Sequence, residues 1–157
     1  MKILGIDPGL RITGYALLES SEDLELKVLC IGEIQTKLGE NHRYVNIFKG
    51  ISDLLSVYQP DLCAIERTFV NSNPFSSLQL GQARGVAILC FELFNKEYME
   101  IFPNTIKKYT IGIGTGKKVD IQKYINSLFG LDLTSDSADA LAIAMTALIK
   151  TTENITL

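Results

Sequence analysis

Apolar residues fill Met1 to Ile6 almost without a break, the mark of a strand covered on both faces, and Asp7-Pro8-Gly9 then turns the chain. Thr13 to Leu18 and Leu24 to Gln35 read as two further strands, the second alternating at Leu24, Leu26 and Val28 before it becomes fully apolar. Short links among the three predict a meander. The period changes at Tyr44. Tyr44, Ile47, Phe48, Ile51, Leu54, Leu55 and Tyr58 share one helical face, and the helix ends before Pro60.

Beyond it, Leu62 to Ile65 is a short strand closed by Glu66, and Arg67 to Pro74 is a polar loop carrying Phe69. Ser76 to Asn95 reads as a long helix whose Gly81, Ala83, Gly85 and Ala87 are small enough to let another backbone approach. Tyr98 to Phe102 makes a fifth strand, Asn104 to Thr110 a short helix, Gly112 to Gly116 a flexible loop and Lys118 to Phe129 another helix. The last helix runs from about Ser135 to Ile149, and Thr151 to Leu157 reads as a frayed tail. A meander followed by strands with crossover helices predicts an α/β fold: a five-stranded mixed sheet flanked by helices. We expect one domain over residues 1–150 with a short tail over 151–157.

Composition narrows the setting. The 157 residues are 46% hydrophobic and 21% charged, enough for one core. The opening apolar run is too short for a secretory signal, and the stretches Val86 to Phe91 and Ala140 to Met145 fall far below membrane-spanning length. Both point to the cytoplasm and to no membrane partner. Cys30, Cys63 and Cys90 are odd in number, widely spaced and set in apolar runs, which suits buried thiols better than disulfides or zinc.

Four acids stand where chemistry is usually placed. Asp7 and Glu66 each close an apolar run, and Asp136 and Asp139 open an apolar helix. Asp7 before Pro-Gly is also a common turn residue, Asp136 could cap its helix, and Asp139 could simply favour the helix dipole. Ala140 to Met145, however, leaves no polar face for nearly two turns, so this helix start sits at a packed boundary where a second carboxylate oxygen still needs a partner. At a spacing of three residues both acids can address one ion. Like charges gathered at the rim of a sheet raise one another's pKa unless a cation is bound, so divalent metal is the natural companion. An all-oxygen donor set suits Mg²⁺, with Mn²⁺ as a substitute.

The net charge of −3 argues weakly against nucleic acid, but its distribution argues for it. Between Pro103 and Asn126, Lys107, Lys108, Lys117, Lys118 and Lys123 against Asp120 give +4, which leaves −7 elsewhere. Such lysines are commonly a solvated face. Here they flank Gly112, Gly114 and Gly116, in a segment that could mould to phosphates without forming a Walker A motif. Phe69 is either a loop anchor or an aromatic that stacks on a base. Arg84 either contacts DNA or pairs across a dimer, and His42 belongs to a helix start.

Met1-Lys2-Ile3-Leu4-Gly5-Ile6-Asp7-Pro8-Gly9-Leu10, Ala64-Ile65-Glu66-Arg67-Thr68-Phe69, Leu80-Gly81-Gln82-Ala83-Arg84-Gly85-Val86-Ala87 and Asp136-Ser137-Ala138-Asp139-Ala140-Leu141-Ala142 resemble, in order, the signatures of the RuvC Holliday-junction resolvases. The resemblance implies an RNase H-like fold, a homodimer, and Mg²⁺-dependent hydrolysis of DNA at four-way junctions with two ions per site. It implies Asp7, Glu66, Asp136 and Asp139 as metal-binding catalytic acids, Lys107 and Lys118 as basic residues needed for cleavage, and Phe69 as a junction contact, with Lys108 and Lys117 beside them in the DNA-binding segment. It further implies the RuvA and RuvB branch-migration proteins as partners, and a dimer axis near the helix that begins around Ser76. Paired, symmetric nicks in strands of like polarity are the expected reaction. An RNA-trimming relative, an inactive junction-binding module and an actin-like nucleotide clamp are the alternatives.

Overall fold

The structure is a computed structural model, and it describes residues 1–23, 25–37, 39, 41–67 and 73–155. In chain order the elements are β1 (Lys2–Asp7), β2 (Ile12–Ser20), β3 (Leu26–Gln35), α1 (Arg43–Tyr58), β4 (Leu62–Glu66), α2 (Pro74–Leu93), β5 (Tyr98–Ile101), α3 (Pro103–Ile111), α4 (Lys118–Phe129) and α5 (Ser135–Ile155). The five strands form one sheet in the order β3-β2-β1-β4-β5. Short turns make β1, β2 and β3 antiparallel, whereas β4 and β5 return through crossover helices and lie parallel to β1. The most completely buried strand, β1, is central.

Two cores follow from the alternation of side chains along the strands. Leu4, Ile6 and Leu17 pack with Ile47, Ile51 and Leu55 of α1 and Phe91 of α2. Ile3, Ala16 and Leu18 pack with α5, joined by Ile106, Ile121 and Ile125 of α3 and α4. On this second face the sheet meets α5 backbone to backbone. A Cβ on Gly5 would lie 2.2 Å from the Ala140 carbonyl oxygen, so only glycine lets the helix come this close.

Several boundaries differ from the sequence expectation. The helix expected to start at Ser76 starts at Pro74, because the Asn73 side chain accepts a hydrogen bond from the Ser76 N–H and proline suits a first turn. Of its small residues, Ala83 and Ala87 are buried in the core, while Gly81 and Gly85 face open space. The segment expected to be a flexible loop at Gly112 to Gly116 is anchored. Gly112 closes α3 by donating to the Lys108 carbonyl at 3.1 Å, and Gly116 is buried against Ile111. The tail expected from Thr151 is helical through Ile155. Thr151 Oγ1 donates to the Ala147 carbonyl, and Tyr109 of α3 donates to Glu153 at 2.6 Å.

Candidate active site

Strand parity decides where two of the acids point. Ile3 and Gly5 face α5, so Asp7, two residues further on, faces it as well. On β4, Ala64 packs on the α5 side while Cys63 and Ile65 pack on the opposite one, so Glu66 also emerges toward α5. The parallel register Ile6 to Ile65 sets Asp7 and Glu66 side by side at the ends of neighbouring strands. Across from Asp7 stands Gly14 of β2. A Cβ there would lie 2.1 Å from the Asp136 carbonyl oxygen, so the first turn of α5 rests directly on the sheet beside Asp7.

A cavity of about 280 Å³ opens at this rim, lined by Asp7, Glu66 and Asp139 together with Lys107 and Lys118. Asp7 and Asp139 are each only 7% exposed. The Lys118 ammonium lies 2.6 Å from Asp139 Oδ2 and 3.7 Å from Asp7 Oδ2. Burial pushes Asp7 up to about 7, with Asp139, Glu66 and Asp136 adding to the rise and Lys118 opposing it. Burial likewise raises Glu66 and Asp139 above the usual carboxylate range. Lys118 is drawn down by its own burial, but Asp7 and Asp139 more than reverse this and hold it above the ordinary lysine range.

These groups fit a cation. Among the described residues, Asp139 Oδ2 is buried and accepts no hydrogen bond of good geometry, its charge met by the ammonium pressed against it. A hard, all-oxygen donor set is the kind Mg²⁺ takes. Among the described residues no group of three acids, histidines or cysteines is drawn tight enough to hold an ion as it stands. The acids instead share the Lys118 charge.

Asp136 occupies a different position. It is not the helix cap: the Thr134 hydroxyl accepts from the Ser137 N–H at 3.4 Å and its carbonyl from the Ala138 N–H at 3.0 Å, so Thr134 takes that role. Its charge contributes to the rise of both Asp7 and Asp139, yet it lines a second cavity of about 320 Å³ that also contains Arg11, Arg43, Ser76 and Gln79. The turn after Asp7 forms part of that wall and is firmly tied. Thr13 Oγ1 donates to the Gly9 carbonyl at 2.7 Å, and Arg43 Nη2 and the Thr36 hydroxyl both donate to the Leu10 carbonyl, the former at 2.8 Å. Sequence inspection passed over Arg11 and Arg43; an arginine two residues beyond Asp7-Pro8-Gly9 was the available signal.

The other candidates separate. Lys107 is half-buried at the first cavity, whereas Lys108 and Lys117 are exposed and do not line it. The Lys117 N–H donates to Asp120 at 3.0 Å at the start of α4, which turns the next residue, Lys118, toward the acids. Arg84 pairs with Glu100 of β5 in the same chain. His42 stands at the start of α1 in a left-handed conformation. Phe69 lies outside the described residues.

Residues 3–147 match the family model described as crossover junction endodeoxyribonuclease RuvC. The chain is 39% identical over 150 residues to the protein of that description from Caldicellulosiruptor saccharolyticus, covering 92% of this chain and 90% of the relative. Its likeness to the corresponding Thiobacillus denitrificans protein is 40% over 149 residues, covering 93% and 86%. Among solved structures it resembles T. thermophilus RuvC in complex with Holliday junction substrate, with a TM-score of 0.88, 23% identity and coverage of 98% and 96%. That likeness shows the fold, which is the RNase H-like α/β fold expected from the sequence.

Proposed function

The chain belongs to the RuvC family of crossover junction endodeoxyribonucleases, and on that premise we propose that it resolves four-way DNA junctions by paired, symmetric nicks in strands of like polarity. The observation that carries this reading is the convergence of Asp7, Glu66 and Asp139 with two lysines in one cavity at the rim of the sheet. The nucleases of this family are metal-dependent, and Mg²⁺, replaceable by Mn²⁺, is the ion we assign. Two such ions, when bound, acidify a water and stabilise charge on the attacking and leaving oxygens.

Asp7, Glu66 and Asp139 would hold the ions, with Asp136 completing the set or orienting water. Their raised pKa values reflect a site that awaits positive charge. Lys107 and Lys118 hold the phosphate being cut. Lys108, Lys117 and Phe69 extend the DNA-binding surface around it.

A homodimer is supported by α2, whose Gly81 and Gly85 lie open while Phe75, Leu78, Leu89 and Leu93 are exposed. We assign the RuvA and RuvB branch-migration proteins as partners. No helix among the described residues is long and apolar enough to cross a membrane. The free thiols Cys30, Cys63 and Cys90 favour a reducing compartment, in keeping with the cytoplasm.

An end-labelled four-way junction and a linear duplex, each incubated with and without Mg²⁺, test the proposal directly. Symmetric nicking of the junction alone, dependent on the metal, is the expected outcome. Asp7→Asn should abolish cleavage and still bind the junction; nicking by that variant at the wild-type rate would sink the assignment of Asp7.

A further inference from the structure

We infer that the cavity formed by Arg11, Ser76 and Gln79 beside Asp136 holds a backbone phosphate of the DNA strand being cut, on the side of Asp136 away from Lys107 and Lys118. The inference rests on the junction-cleaving function proposed above. The two cavities flank the first turn of α5: Asp136 lines one and Asp139 the other, and the Asp136 charge is felt by Asp7 and Asp139. A strand laid across the acids therefore continues from the lysine-lined cavity into this one.

Of the four arginines in the chain, three are committed internally. Arg43 donates to the Leu10 carbonyl and to Thr36, Arg84 pairs with Glu100, and the Arg67 guanidinium sits 4.8 Å over the Phe102 ring. Arg11 is exposed and has no side-chain partner among the described residues. Its backbone is nevertheless fixed, because its carbonyl accepts from the Thr36 N–H at 2.9 Å.

The surroundings suit an anion. The carbonyls of Gly9 and Leu10, which would repel a phosphate, are already engaged by Thr13, Thr36 and Arg43. Ser76 and Gln79 offer neutral donors from α2. Asp136 is the one acid lining it among the described residues, and because its charge also acts on Asp7 and Asp139, a cation held by that cluster would offset it. A planar guanidinium meets a phosphate in two parallel hydrogen bonds, which a lysine cannot reproduce.

The test compares Asp7→Asn protein, expected to bind without cutting, with the Asp7→Asn, Arg11→Ala double variant on an end-labelled junction across a salt series. Arg11→Ala should lower the slope of log affinity against log salt by about 1, as removal of a single phosphate contact does. Arg11→Lys should recover the slope but only part of the affinity. Junctions carrying one neutral methylphosphonate, stepped along the strand on both sides of the nick, locate the contact. One position should weaken Asp7→Asn protein and have no effect on the double variant, on the opposite side of the nick from the position silenced by Lys107→Ala.

Equal slope and equal affinity with and without Arg11 would overturn the inference, as would a slope change with no phosphate position silenced. Failure of the parent protein to bind junctions at all would overturn the proposed function as well. Because Arg11 is exposed and has no side-chain partner among the described residues, its replacement should leave the melting temperature unchanged, so weaker binding cannot be assigned to unfolding.

Discussion

The two faces of the sheet are packed in different ways. Toward α1 and α2, large side chains fill the space: Leu4, Ile6 and Leu17 against Ile47, Ile51, Leu55 and Phe91. Toward α5, the helix contributes Ala138, Ala140, Ala142, Ala144 and Ala147, and Gly5 and Gly14 let its backbone rest on the strands. A face built from side-chain volume can adjust by changing rotamers, whereas one built from backbone contact cannot. The acids lie on the face without slack. That is where fixed separations between carboxylates matter most.

The largest effect on stability is expected on the other face. Phe91→Ala, at a fully buried position, should cost about 3–5 kcal/mol in denaturant unfolding, while the folded fraction cleaves at the wild-type rate per molecule. Gly14→Ala should cost about 1–3 kcal/mol, as overpacking does, yet reduce cleavage far more, because the new methyl group pushes on the backbone that carries Asp136. Were both variants to lose activity only in proportion to their unfolded fraction, the distinction between the faces would collapse.

A subtler difference is electrostatic. Asp7 is raised in the fold to about 7 from 3.8, so the folded state binds its proton more tightly than the unfolded chain does. The stability this proton contributes is fully present below about pH 3.8. It is lost as the pH rises through 7, leaving a buried charge that metal can neutralise. Added Mg²⁺ should therefore raise the melting temperature more at pH 8 than at pH 6, and Asp7→Asn should flatten that dependence. A metal-induced shift independent of pH would remove Asp7 from the ion site.

The smallest effect is expected at adjacent lysines. Lys117→Ala should change stability by no more than about 0.5 kcal/mol, weaken junction binding modestly, and leave the rate of cutting at saturating protein near wild type. Lys118→Ala, which removes the ammonium beside Asp7 and Asp139, should slow it sharply. Equal rates in the two variants would erase the separation.

Periodicity made the strands and helices readable, since a change from a two-residue to a helical repeat is visible wherever one face is buried. The acids were readable because each ends or begins an apolar run. What joined them was less accessible. That Asp7 and Glu66 point to the same side depends on pairing between residues 59 apart in the chain, such as Ile6 with Ile65, which no local pattern reports. The division between Lys117 and Lys118 depends on a cap formed by Asp120. Arg84 was noticed, but its partner Glu100 comes from a neighbouring element in space. Gly5 and Gly14 look like ordinary strand residues until the helix above them is in place. Helix α5 outlasted its apolar pattern because hydrogen bonds from Thr151 and Tyr109 support its last turns.

The docking of α5 onto β1 and β2 also bears on how the acids come together as the protein folds. Asp7 and Glu66 are set by the pairing of β1 with β4, whereas Asp139 stands on a helix seated over Gly5 and Gly14. A chain whose sheet has formed but whose α5 has not docked would present two of the cavity's acids without the third. Assembly of the acid cluster is thereby tied to closure of that face.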